Sequence, residues 1–142
     1  MSSLTTKRAI AYTFKVLLKE KPFNKITIND IASECDINRQ TFYYHFQDIK
    51  DLVEWICIDE VDKLLTEKEN YEKWEDKFLM IFKIMEEERI LVKNIYHSVS
   101  VEVLRNNLYR LVYPIIYNEI VEKSKGKNLR EEDKKFITNF YK

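Results

Sequence analysis

The stretch from Thr27 to Phe46, TINDIASECDINRQTFYYHF, constrains this chain more than any other. Its pattern predicts two short helices joined by a tight turn. Thr27 is placed to cap the first, its hydroxyl taking a free N–H of the opening turn, and Asp30 brings a carboxylate to the positive helix end. Ile28, Ile31 and Ala32 form one apolar face, with Ala32 small enough for a second helix to cross closely. Asp36 stands where the chain must turn, and Asn and Asp accept left-handed backbone better than other residues that carry a side chain. Ile37 follows as a plug for the core and Asn38 as the cap of the second helix. Phe42 and Phe46, at i and i+4, share the inner face of that helix.

That leaves Arg39, Gln40, Thr41, Tyr43, Tyr44 and His45 mostly outside. A guanidinium, an amide, hydroxyls and an imidazole on one exposed face are the groups that read base edges and grip phosphates. In a helix-turn-helix the second helix enters the major groove with its N-terminal residues toward the bases.

With these residues in view, the segment resembles the DNA-binding domain of the TetR/AcrR family of transcriptional regulators. The likeness is carried by the Thr before the first helix, the Ile-Ala inside it, and Thr-Phe-Tyr-Tyr-His-Phe closing the second. The string INRQTFYYHF with QDIKDLVEWI is most similar to the subgroup named after the regulator of dihydroxyacetone kinase genes. The resemblance spans residues 7–58 and fades beyond. Two positions depart from the pattern. Asp36 replaces the usual turn Gly, and Ile49 stands where a phosphate-binding Lys usually opens the next helix, with Lys50 following.

One Gly and two Pro in 142 residues leave little turn punctuation, so the expected fold class is all-α. It comprises an N-terminal three-helix DNA-binding domain over residues 1–47 and a helical dimerisation and effector body over 48–142. Net charge is zero overall, but residues 1–50 carry eight Lys/Arg against five Asp/Glu, a net +3 that suits DNA binding by the head alone. Cys35 and Cys57 lack metal or disulfide spacing, so neither metal nor cofactor is expected. The N-terminus has no signal-peptide pattern, and no stretch approaches the ~20 apolar residues that span a membrane. The expectation is a soluble, cytoplasmic protein with no membrane partner.

The remaining apolar periodicity predicts helices in order. Residues 5–20 carry Ile10, Phe14, Leu17 and Leu18 on one side. A helix capped by Asp48 runs to about residue 68 along Leu52, Val53, Ile56, Val61, Leu64 and Leu65. Residues 73–88 bear the next stripe, Ile90–Tyr96 a short helix, and Val101 onward a longer one interrupted by Pro114. SKGKN at 124–128 is a loop, and residues 130–142 begin a last helix with Phe136, Ile137 and Phe140 as its apolar side. Family members continue with a long apolar helix pair that joins two subunits. Only its beginning is present here, so the body is expected either to be truncated at its C-terminus or to be naturally short.

No Gly-rich phosphate loop, HExxH or nucleophile elbow occurs, so no enzyme is expected. His97 reads as a satisfied, partly buried histidine ahead of a ligand-sensing one. Trp55, Trp74, Phe78, Phe82, Met85, Tyr109 and Tyr113 read either as plain core or, through the family resemblance, as the lining of an effector pocket. The leading reading is a homodimer on a palindromic double-stranded operator, controlled by a small-molecule effector or a protein partner. Arg39 and Gln40 are expected to read bases, and Thr27, Thr41, Tyr43, His45 and Lys50 to grip phosphates. Tyr44 serves either purpose, and Asn38, which sets the helix start, belongs to the same DNA-binding set. The alternative is an adaptor acting mainly through a second protein.

Overall fold

Every regular element in the computed structural model, which describes residues 3–67 and 71–141, is helical. Helix α1 spans Ser3–Glu20 and stops before Pro22, whose extended backbone (φ −61°, ψ 149°) leads into a single 3-10 turn at Phe23–Lys25. Helices α2 (Ile28–Cys35) and α3 (Arg39–His45) follow, then α4 (Ile49–Glu67), α5 (Trp74–Glu87), α6 (Arg89–Ser98), α7 (Val101–Lys123) and α8 (Glu131–Tyr141). Residue 68, where α4 was expected to end, and Lys142 lie outside the described residues.

Polar side chains fix where these helices begin. Asp48 Oδ1 accepts the Asp51 N–H at 2.8 Å, which satisfies one orphan donor of α4, and Asp51 Oδ2 in turn accepts the N–H of Gln47, the residue before the cap, at 2.9 Å. Ser100 Oγ accepts from the Val103 N–H at the start of α7. Helix α7 then runs unbroken through Pro114. The proline removes only the bond to the Arg110 carbonyl, and buried Leu111 and Ile115 hold the helix on both sides of it. The one glycine, Gly126, sits at φ +82° in the loop after α7, a conformation that favours the absence of a side chain.

The chain divides into two compact units, Met1–Cys57 with Glu88–Val99, and Ile58–Glu87 with Ser100–Lys142. In the first, α1 packs against α2, α3 and α6. Ile10, Phe14, Leu17, Ile31, Phe42, Leu52, Val53 and Ile56 are buried there, and α6 adds Leu91 and Ile95. The edge of one ring meets the face of another between Phe14 and Phe23 at 6.0 Å, and Phe46 lies 5.8 Å from Phe42 and 5.9 Å from Trp55.

In the second unit α7 packs against α5 and α8. Val61, Leu64, Met80, Ile81, Leu111 and Ile115 form its core, flanked by Leu65, Phe78, Ile84, Met85 and Val112. An ion pair joins Arg110 to Asp62, and Tyr117 donates its phenolic proton to Glu131. Helix α8 differs from the expected pattern. Thr138 is fully buried and Ile137 half-buried, while Phe136 and Phe140 are 72% and 73% exposed. A buried Thr costs little here because its hydroxyl donates to the Lys134 carbonyl at 2.7 Å.

Candidate nucleic-acid interface

The local geometry from Thr27 to Lys50 follows from a short series of polar contacts. Thr27 Oγ1 accepts the Asp30 N–H at 3.1 Å and Asp30 Oδ2 accepts the Thr27 N–H at 3.0 Å, a reciprocal capping box. The same carboxylate oxygen accepts from Lys21 Nζ at 2.8 Å. Hydrogen bonding from Lys21, followed by that from the Thr27 N–H, lowers the Asp30 pKa to about 2. The start of α2 is thereby tied to the residue that follows α1.

Asp36 closes α2 in the left-handed region at φ 57°, ψ 45°. The Ile37 N–H reaches back to the Ala32 carbonyl at 2.9 Å, and the Asp36 N–H to Ser33 at 3.3 Å, which satisfies carbonyls at the helix end. Asp36 therefore adopts the geometry in which glycine is usual. Asn38 opens α3: its Oδ1 accepts the Thr41 N–H at 2.8 Å and the Thr41 hydroxyl at 3.0 Å.

Phe42 and Phe46 are buried beneath α3, so the outer face of the helix is held at a fixed rotation. Arg39, Gln40, Tyr43 and Tyr44 lie on that outer face, with Tyr44 82% exposed. Arg39 Nη2 donates to the Tyr43 hydroxyl at 3.1 Å, and the guanidinium carbon sits 5.7 Å from the centroid of the Tyr43 ring. His45 is half-buried, with Nδ1 3.4 Å from Ser3 Oγ and its ring edge-on to Tyr44 at 5.0 Å. Lys50 is exposed in the first turn of α4, and Ile49 beside it is half-buried.

All nine residues expected to touch DNA thus fall in the first unit: Thr27 at the start of α2, Asn38 to His45 at and along α3, and Lys50 on α4. Asn38 and Thr41 are engaged with each other, whereas the Gln40 amide is exposed. Sequence reasoning left out the Arg39–Tyr43 pair, although its i, i+4 spacing was the available signal. It also left out Lys7, whose Nζ lies 5.6 Å from the Phe46 ring centroid and fastens α1 over the end of α3.

The second residue set is distributed differently. Trp55 belongs to the first unit, half-buried against Phe46. Trp74, Phe78 and Phe82 form a ladder along α5, with ring centroids 6.0 and 6.4 Å apart. Tyr109 and Tyr113 stack at 5.0 Å along α7, and Met85 packs with Phe78 against the second core. Trp74, Phe82 and Tyr109 are exposed in this chain. His97 is exposed as well, not partly buried as its apolar neighbours implied, because α6 turns Leu91 and Ile95 inward. Burial, and then nearby Glu54, raises the Cys57 pKa and keeps it a thiol. No helix among the described residues is long and apolar enough to cross a membrane.

Comparison with known proteins places both parts of the chain. Residues 15–56 match the family described as bacterial regulatory proteins, tetR family, and residues 72–142 match a TetR-type family described as transcriptional regulator C-terminal region. The HTH-type dhaKLM operon transcriptional activator DhaS of Lactococcus lactis subsp. lactis (strain IL1403) is 30% identical over 94 residues, covering 66% of this chain and 50% of that protein. The chain thus spans about half the length of this curated relative. A solved structure described as dihydroxyacetone kinase operon activator DhaS has the same fold, with a TM-score of 0.62 and 24% identity over 96% of this chain and 77% of that one.

Proposed function

This chain belongs to the TetR family of bacterial transcriptional regulators, and we propose that it binds a palindromic operator as a homodimer, reading bases with the outer face of α3. The observation that carries this reading is that face itself. Exposed Arg39, Gln40, Tyr43 and Tyr44 stand on a helix whose rotation is fixed by buried Phe42 and Phe46. Arg39 and Gln40, in the first turn, pair with base edges in the major groove. Thr27, Thr41, His45 and Lys50 reach phosphates, Tyr44 reaches either, and Asn38 fixes the helix start. Residues 1–47 form the DNA-binding domain and residues 48–142 the regulatory body, of which the start of α4 and the whole of α6 pack with the head.

In that body, the α5 ladder Trp74–Phe78–Phe82 with Met85, Tyr109 and Tyr113 forms the surface on which a small effector acts. Trp55 is an anchor for Phe46. An effector on this set shifts a balance between existing arrangements of the protein, and quenching of Trp74 fluorescence by dihydroxyacetone or related metabolites tests it.

Selection from a random duplex pool followed by sequencing tests the main proposal. The expected outcome is a two-fold symmetric motif with half-sites about one or two helical turns apart. The relatives are named as activators of a dihydroxyacetone kinase operon, so upstream DNA of such operons is the first natural sequence to titrate. A pool without an enriched motif would favour an adaptor that acts through a protein partner.

A further inference from the structure

We propose that Tyr43 is a positioning residue for Arg39: its hydroxyl holds the guanidinium ready to read one base pair, a role that rests on the assignment of α3 as the reading helix. The pair is one helical turn apart on the outer face, with Arg39 exposed and Tyr43 47% exposed. The 3.1 Å bond from Nη2 to the phenolic oxygen joins them and holds the guanidinium carbon 5.7 Å from the ring centroid, beyond the hydroxyl end of the ring. Because the ring stands on the same helix one turn on, that bond sets the distance of the guanidinium from α3 and the direction in which it lies.

The chemistry leaves the reading function intact. A guanidinium carries five N–H donors in a planar fork, with one two-donor edge formed by Nε and Nη2 and another by Nη1 and Nη2. Tyr43 takes one hydrogen of Nη2. Whichever hydrogen that is, one complete edge remains for guanine O6 and N7. Arginine has among the largest rotamer freedoms of any side chain, and ordering it on DNA opposes binding. Tyr43 imposes that order before DNA arrives, in a direction set by a helix that Phe42 and Phe46 hold in place.

This role differs from the phosphate grip expected of a tyrosine at this position. A neutral phenol on a phosphate strengthens binding to every duplex alike. A phenol acting through Arg39 strengthens only the preference at the base pair that Arg39 reads.

The test uses the full chain as wild type, Arg39→Ala, Tyr43→Phe and the double variant. Each is taken through selection from a random duplex pool. Each is then titrated on the selected operator, on that operator changed at the position whose preference Arg39→Ala erases, and on unrelated duplex. Tyr43→Phe keeps the ring and loses the hydroxyl, and its melting temperature checks folding. The expected result is a roughly three- to tenfold loss of preference at the Arg39 position alone, as for losing one ordinary solvent-exposed hydrogen bond. Binding to unrelated duplex should stay within about twofold, and the double variant should match Arg39→Ala, as residues acting as a unit do. Equal weakening on operator and unrelated duplex would overturn the proposal in favour of a phosphate contact. Unchanged preference in Tyr43→Phe, beside a lost position in Arg39→Ala, would overturn it while leaving the base-reading assignment standing. A motif that Arg39→Ala leaves whole would remove the base-reading assignment, and the positioning role with it.

Discussion

Asp36 holds φ 57° and ψ 45° at the end of α2, where a Cβ crowds the following peptide and a negative charge meets the negative end of the helix. Asp36→Gly should therefore stabilise the chain by about 0.5–1 kcal/mol, read as a higher urea midpoint at unchanged m-value, and Asp36→Val should lower the midpoint. The pH response of Asp30 carries the opposite sign from that of a buried acid. Its folded pKa, about 2, lies below the ordinary 3.8. Its contribution is thus complete above pH ~4 and is lost as pH falls toward 2. The melting-temperature gap between wild type and Asp30→Asn should narrow over that window, and also with added salt, because the carboxylate is partly open to solvent. On the reading face, Gln40→Ala should cost roughly 1–3 kcal/mol on the selected operator and little on random duplex, whereas Lys50→Ala should weaken both and lower the salt slope by about one. An unchanged slope for Lys50→Ala would mean that no charge replaces the lysine for which Ile49 stands.

At the scale of elements, the second core depends on a narrow stripe of α7. Ile115 is 1% exposed among Val61, Leu64, Met80, Ile81 and Leu111. Ile115→Ala should cost about 2–4 kcal/mol through lost burial and the cavity left behind, while Leu108→Ala, at a site 54% exposed, should cost under about 0.5 kcal/mol. Equilibrium denaturation of the two variants checks the contrast. Such stripes made the helices legible in the sequence, and caps such as Thr27, Asn38 and Asp48 marked where several begin. Periodicity does not say what a stripe packs against. Helix α6, read as part of the body, packs on α1 in the first unit. The orientation of α8 was hidden for a different reason: Phe136 and Phe140 outweigh Thr138 in any hydropathy reading, yet a hydroxyl satisfied by the carbonyl four residues back can be buried, and the rings then turn outward. The residue types on the α3 face were likewise legible from spacing alone. The Arg39–Tyr43 coupling needed atomic positions, because i, i+4 spacing permits a contact without requiring one.

For the whole molecule, the outward face of α8 makes the dimer testable. Phe136 and Phe140 lie at i and i+4 and are 72% and 73% exposed in the single chain. Two phenylalanines in water on one helix are costly to leave uncovered, and exposed apolar surface of this kind marks interfaces. In the proposed homodimer, a second copy of this face covers them. Phe136→Glu combined with Phe140→Glu places carboxylates at that seam while disturbing no buried contact of the chain. Light scattering at micromolar concentration should show the wild type as a dimer and the double variant as a monomer, with helicity preserved. The DNA consequence follows from linkage of two half-sites. A dimer that loses its seam gives up the effective-concentration gain of the second head, on the order of 10²–10⁴ in affinity. Titration of the double variant on the palindrome should therefore approach the affinity of the wild type for a single half-site. If the double variant remains a dimer, the α8 face is not the seam. If it is a monomer that still binds the palindrome at full strength, the two heads are not coupled through this surface.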